Sequence, residues 1–265
     1  MTPSTMAWSK GAKNCISALV PPAFWLGVWQ LGAVLVERQV NGRGNELLLP
    51  YPATVWASLV RLAGTEGFWE TVGTSLGRVL LGLALGTALG AILAWGTCAS
   101  RWADKLLSPA IRVVRATPVA SFILLVLLWT GKNFVPVVIS ALMVIPVVWG
   151  NLARGIRETD PQLLEMARAY RVSRWKTLRL VYLPSLRPYF GTAITTAMGL
   201  AWKSGVAAEV LCLPFRSVGT EIFNTKLNLE IPDLFAWTAV VVCLSLLLEK
   251  LLGLAVEHGK GGWEG

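Results

Sequence analysis

The chain has 265 residues, of which 54% are hydrophobic and 15% charged, and its net charge is +9. A soluble domain carries about 25% charged residues, so this composition excludes an ordinary soluble fold, in line with a mean hydropathy of +0.58. The basic residues are spread over several loops, not gathered into one patch, which argues against a nucleic-acid surface.

The apolar residues fall in runs close to the roughly 20 residues that cross ~30 Å of hydrocarbon. The expected fold is all-α, a polytopic membrane protein of about six transmembrane helices forming one domain over residues 1–265. The first span is expected at 20–36, opened by Pro21-Pro22. Lys10 and Lys13 precede it as in a signal peptide, but no small-x-small cleavage site follows, so it reads as a retained span. Glu37, Arg38 and the stretch Asn41 to Asn45 then make a polar loop, and a short amphipathic piece from Ala53 to Leu62 lies at the interface. Residues 1–70 thus form a first span with its outer loop, and 71–257 the core. In that core the second span is expected at 72–97 and the third at 110–130, with Pro118 inside it. Gly131-Lys132-Asn133 turns into a fourth span at 134–150, broken by Pro136 and Pro146. A charged loop, 151–189, separates it from a fifth span at 190–212, and a sixth at 234–256 leads to a Gly-rich tail.

Within the loop, Asp160 is a good N-cap and Pro161 suits the first helical position. Leu163, Leu164, Ala167 and Tyr170 form one apolar stripe at helical spacing. Ser173 can cap a second helix in which Trp175, Leu178 and Tyr182 share a face, and Pro184 and Pro188 are expected to end it. Placing both termini in the cytoplasm puts 16 of the 24 Lys and Arg on that side and 6 on the other, with Arg78 and Lys203 inside spans. The positive-inside bias therefore places the charged loop in the cytoplasm.

Chemistry-bearing residues are sparse. There is no phosphate-binding G-x-x-x-x-G-K-[ST] loop, the four cysteines have no C-x-x-C spacing, and His258 is the only histidine, so neither a metal nor a cofactor is expected. Intramembrane ionisable groups are functional candidates by default, which singles out Arg78, Lys203 and Glu209 as candidates for lining a path. Lys203 and Glu209 lie about 120° from sharing a helix face and do not readily pair with each other. Gly73, Gly77, then Gly82, Gly86 and Gly90 recur four apart, a ridge along which a second helix can approach closely. The spacing leaves open whether that helix belongs to the same chain.

The loop also carries a resemblance. Glu165-Met166-Ala167-Arg168-Ala169-Tyr170-Arg171, followed by Leu183-Pro184, resembles the E-A-A-x-x-x-G loop of ATP-binding-cassette (ABC) importer permeases, the binding-protein-dependent transport inner-membrane components. Trp129-Thr130-Gly131, the segment from Ile145-Pro146 to Gly155, and Ala207-Ala208-Glu209-Val210 resemble motifs of its nitrate/sulfonate/taurine branch. The likeness spans about Thr71 to Glu257. It implies a permease subunit in a bacterial inner membrane, not an enzyme, that forms a homodimer and works with two ATPase subunits and an extracytoplasmic binding protein. ATP would be bound by the partner. It further implies that the loop is a coupling helix docking on the ATPase through Leu164, Glu165, Ala167, Arg168, Arg171 and Trp175. The cargo would be a small sulfonate, nitrate or taurine-like solute or a nitrogenous heterocycle. A secondary transporter or channel is the alternative; it would show internal symmetry between the halves, which is not seen, and more intramembrane ionisable groups than Arg78, Lys203 and Glu209. Two positions depart from the motif: Met166 replaces an Ala, and Arg171 stands where the motif has Gly. Glycine there permits a left-handed residue that ends the helix. With arginine, either the first helix runs on or the turn is formed differently.

Overall fold

The structure, a computed structural model, describes residues 5–39 and 47–261, with side chains for 20–39 and 47–256. The expected polar loop at Asn41 to Asn45, the side chains of Lys10, Lys13 and His258, and the tail beyond Gly261 lie outside the described residues. The elements are α1 (Thr5–Gln39), α2 (Pro52–Ala63), α3 (Glu66–Ala99), α4 (Arg101–Ala116), α5 (Val119–Trp129), α6 (Val135–Arg157), α7 (Pro161–Ala169) and α8 (Arg174–Thr177). A π-helical turn (Leu178–Tyr182) follows, then α9 (Leu183–Cys212), α10 (Val218–Leu227) and α11 (Ile231–Gly261). The described residues contain no strand.

Among the described residues, four segments can cross a membrane by length and hydropathy: Val20–Gln39, Glu66–Ala99, Val135–Arg157 and Ile231–Val256. A fifth counts if α4 and α5 together make one span, where six were expected. The expected third span, 110–130, is not a continuous helix. The ring of Pro118 crowds the residue before it and disfavours helical backbone there. Thr117 accordingly turns extended, at φ −78° and ψ 134°, and α5 leaves α4 at 109°. The 30 residues of α9 extend about 45 Å, long enough to span, but they are more polar than the other four.

Elsewhere proline does not interrupt. Helix α1 begins before Pro21 and Pro22 and runs through them, absorbing Glu37 and Arg38 into its last turns. Helix α6 starts with Pro136 in its first turn and continues unbroken through Pro146. Pro184 and Pro188 do not end the second loop helix, which continues through the π-turn into α9. In hydrocarbon a broken backbone has no water to bond, so losing one hydrogen bond at a proline costs less than ending the helix. Pro184 crowds the carbonyl of Leu180, four residues back. That carbonyl lies in the π-turn, whose wider winding relieves the clash.

Contacts divide the chain into two units, residues 1–68 with 224–239 and residues 69–223 with 240–265. The first is rich in aromatic contacts. Trp29 stacks on Phe235, Phe68 stacks on Trp237, and the Trp29 indole N–H donates to the Pro50 carbonyl at 3.1 Å. Arg61 on α2 donates to both carboxylate oxygens of Asp233 at 2.5–2.6 Å. The Asp233 bond holds the Arg61 guanidinium further above its ordinary range.

In the second unit α6 and α9 pack along most of their lengths. Val144, Val148, Ala197, Ala201 and Trp202 are all buried between them and α3. The Trp202 indole donates to the Val241 carbonyl at 3.0 Å, and Ser140 Oγ to the Ala201 carbonyl at 3.1 Å. These bonds satisfy polar groups that would otherwise be stranded in an apolar core.

Candidate functional site

The charged loop folds as a helix, a turn and a second short helix. Asp160 caps α7 by accepting from the Gln162 amide at 2.8 Å, and Ser173 caps α8 by accepting from the Lys176 amide at 3.4 Å. Between them the turn closes around Arg171, which takes the left-handed conformation at φ 52°. The Val172 amide donates to the Ala167 carbonyl at 2.8 Å, and the Arg171 amide to the Arg168 carbonyl at 3.0 Å. That pair of bonds is a Schellman cap. Neither expected alternative occurs: the helix stops where glycine would have stopped it, and arginine takes the glycine conformation.

The candidate docking residues divide by exposure. Ala167 is buried and Leu164 half-buried. Glu165, Arg168, Arg171 and Trp175 are exposed, together with Met166 and Tyr170. They form a mixed apolar and basic surface beyond the ends of α6 and α9.

The intramembrane charges form a second constellation. Glu209 is fully buried near the end of α9. Its Oε2 accepts from Ser75 Oγ at 2.8 Å and from the Gly219 amide at 3.2 Å, while Oε1 faces the Arg78 guanidinium at 3.6 Å. Arg78 in turn donates to the carbonyls of Phe215 and Arg216 at 2.7 and 3.2 Å. Ser75 Oγ also accepts from the Val218 amide at 2.9 Å. The carboxylate thus sits at the N-terminus of α10, where unpaired amides and the helix dipole favour negative charge. Further along the first turn of α10, burial pushes the Glu221 carboxyl above its ordinary range. Arg216 pairs with Glu70 at the exposed edge of the same region.

Arg78 and Glu209 are therefore brought together, and Lys203 is not part of their cluster. It is exposed, on a stripe of α9 shared with Thr196, Leu200, Ala207 and Leu211. The glycine ridge meets α6 of the same chain. A Cβ on Gly82 would come within 2.6 Å of the Val137 carbonyl oxygen, one on Gly86 within 2.7 Å of that of Ala141, and one on Gly90 within 2.9 Å of Val148 Cβ. Gly73 and Gly77 have open space at that position. Gly155, from the Ile145 to Gly155 motif, marks a close approach of α6 to Leu186 and Tyr189 on α9. Among the described residues no group of His, Cys, Asp or Glu could hold a metal ion.

Ser75 and Gly219 escape a reading of the sequence. Ser75 lies 134 residues from the carboxylate it serves. The available signal was the three-residue spacing of Ser75 and Arg78, which puts both on one face of α3, opposite a carboxylate that must find partners.

Residues 86–257 match the family described as the binding-protein-dependent transport system inner membrane component. The chain is 30% identical to the putative aliphatic sulfonates transport permease protein of Escherichia coli, over 88% of this chain and 83% of that protein. It is 27% identical to the taurine transport system permease protein of the same organism, over 83% and 82%. It is 26% identical to the bicarbonate transport system permease protein of Synechococcus elongatus, over 70% and 66%. In fold it is similar to a crystal structure of an amino acid ABC transporter with histidines, with a TM-score of 0.59 at 18% identity, over 78% of this chain and 95% of that one. With 172 of its 265 residues inside the family match (257 − 86 + 1) and the E. coli relative covered along most of its length, the chain belongs to the binding-protein-dependent transport inner-membrane components and is a multi-pass permease subunit of such a system.

Proposed function

We propose that this ABC permease is an importer subunit working as a homodimer, with two ATPase subunits on the cytoplasmic face and an extracytoplasmic binding protein that delivers the cargo. ATP is bound by the partner subunits, and the chain carries no cofactor of its own. Residues 1–265 act as one permease domain, with both termini in the cytoplasm, a placement the positive-inside bias supports.

The observation that carries this reading is the cap at Arg171. It fixes α7 and α8 at a set angle on one exposed surface, and α8 continues through the π-turn into the core helix α9. A rigid projecting element joined to a buried helix suits transmission of a partner's closure. Glu165, Arg168, Arg171 and Trp175 make the contacts with the ATPase, while Leu164 and Ala167 seat the element. Residues 151–189 serve as the coupling loop of the core, 71–257.

The cargo is a small, mostly anionic solute of the sulfonate, taurine or nitrate type. The names of the relatives support that class: aliphatic sulfonates, taurine and bicarbonate are each a small acid or its zwitterion. The exposed face of α9 with Lys203 lines the path, and the Arg78–Glu209 pair stands near its outer end. Gentle solubilisation of tagged protein should bring down the ATPase, and replacing Glu165 with Arg should uncouple ATP hydrolysis from uptake while the complex stays assembled. Uptake that persists without ATP would overturn the reading.

A further inference from the structure

Two cavities meet at the end of the spans from which the charged loop emerges. One is an apolar groove of about 1020 Å³ between the ends of α3, α6, α9 and α11, lined among others by Ile92, Trp95, Phe190, Ile194 and Leu252. The other is a polar pocket of about 450 Å³ whose walls carry Thr97, Arg101, Asp104, Arg157 and Tyr182. Ile156 lines both. Trp95 of the groove and Tyr182 of the pocket meet edge to face, 5.6 Å between ring centroids, so the two cavities are neighbours across one aromatic pair.

The charge and shape on either side differ sharply. The groove is walled by aliphatic and aromatic side chains, with Arg187 the one charged residue among the described residues that line it, and it has ligand dimensions. The pocket holds two guanidinium groups against one carboxylate, and that carboxylate is partly engaged already. Asp104 accepts from Ser108 Oγ at 2.5 Å and lies 3.5 Å from Arg157. The wall is therefore net positive, and guanidinium groups suit phosphate.

Helix α4 sets the level of this pocket. It contributes Arg101 and Asp104 and runs 109° from the apolar helix α5. If α5 stands near the membrane normal, α4 lies close to the membrane plane. Its surface fits that placement. Trp102, Leu106 and Val113 are exposed on one side, with Arg101, Lys105 and Arg112 exposed beside them, and Lys105 lies over the Trp102 ring. Such a helix sits at the headgroup boundary of an anionic leaflet. A basic pocket between spans at that depth is a place for an anionic headgroup.

We infer that the paired cavities are a binding site for one anionic phospholipid, its acyl chain in the groove beside Trp95 and Ile194 and its headgroup phosphate between Arg101 and Arg157. The occupant comes from the bilayer. Because the site is built on the start of α9 and the end of α6, the lipid braces the base of the charged loop.

The test is native mass spectrometry of the intact, delipidated transport complex. The probes are palmitoyl-oleoyl phosphatidylglycerol and phosphatidylcholine with the same chains. Phosphatidylglycerol should be retained at one molecule per permease chain about tenfold more tightly than phosphatidylcholine. The R101Q/R157Q variant should lose that preference. Phosphatidylglycerol with brominated chains should quench a fluorescence component that W95F removes, a readout that does not depend on the arginine variants folding. Equal retention of the two lipids overturns the proposal. So does a preference that survives R101Q/R157Q, or quenching unaffected by W95F, as would follow if a second copy of the chain filled the groove. Displacement of the lipid by excess inorganic phosphate alone also overturns it, since that would mark a simple anion site.

Discussion

The Arg78 guanidinium lies 3.6 Å from the Glu209 carboxylate, a pair joining α3 to α9 with Glu209 fully buried and the Arg78 side chain 13% exposed. The pair is enclosed by Ser75, Gly219 and two backbone carbonyls, so removing one partner strands the other among groups arranged for it. Breaking a buried pair in this way costs about 3–5 kcal/mol, whereas replacing both partners with apolar groups is often near neutral. Arg78→Met and Glu209→Gln should each lower the thermal unfolding midpoint in detergent markedly, and the double substitution to Met should recover much of the loss. An Arg78→Met protein as stable as the parent would contradict the pairing.

The glycine ridge yields a contrast within one helix. Gly86→Val should be disruptive, since even a Cβ there would lie 2.7 Å from a backbone oxygen that cannot move aside cheaply. Overpacking of this kind costs about 1–3 kcal/mol. Gly77→Ala meets nothing within 4 Å and should be neutral, or stabilising by about 0.5–1 kcal/mol through helix propensity. Unfolding of the two variants side by side checks this. Equal behaviour would mean that α3 does not lie against α6 as described.

At Arg171 the backbone is left-handed without being glycine, a conformation that costs an L-residue roughly 1–2 kcal/mol. Arg171→Gly should tighten the cap by about 1 kcal/mol, slowing hydrogen exchange at the Arg171 and Val172 amides. Arg171→Val should speed it, because a β-branched residue tolerates that conformation least. If the arginine side chain contacts the ATPase, Arg171→Gly will also weaken subunit association while stabilising the loop, so the two effects separate.

Trp175 is 72% exposed and Met166 52% exposed on the loop surface. Apolar side chains this exposed contribute little to the fold of the isolated chain. Trp175→Ala should leave the unfolding midpoint unchanged and cost about 2 kcal/mol or more in ATPase association, as expected for a buried aromatic anchor. A pull-down titration with the cognate ATPase measures it. An unchanged affinity would move the docking surface elsewhere.

The sequence shows those parts of the fold whose cause is local. Asp160 and Ser173 announce their helices because a cap is a two- or three-residue event. The spans α3, α6 and α11 are plain from composition. The prolines mislead, since one residue type has opposite outcomes here. Pro118 ends a helix because Thr117 can turn extended, while Pro146, buried against neighbouring helices, leaves α6 intact. The environment decides, and the local sequence does not contain it. Glu209 was legible as a candidate, but its partners depend on tertiary contacts that bring α3 and the start of α10 to it. Arg171 was legible as an anomaly, and the wrong inference was that arginine would change the turn.

The path from Trp175 to Glu209 contains no loop. Residues 174–212 wind continuously through α8, the π-turn and α9, so the exposed loop surface and the buried carboxylate are two ends of one rod roughly 58 Å long. A rod without a joint cannot absorb a push at one end. Tilting the projecting end must swing the far end, where Glu209 is gripped by Ser75, Arg78 and Gly219. The π-turn widens the winding without breaking it, and it lies nearer the loop end. Beyond it the 30 residues of α9 run unbroken to the end that holds Glu209, so any tilt of the rod at the loop is carried to the carboxylate.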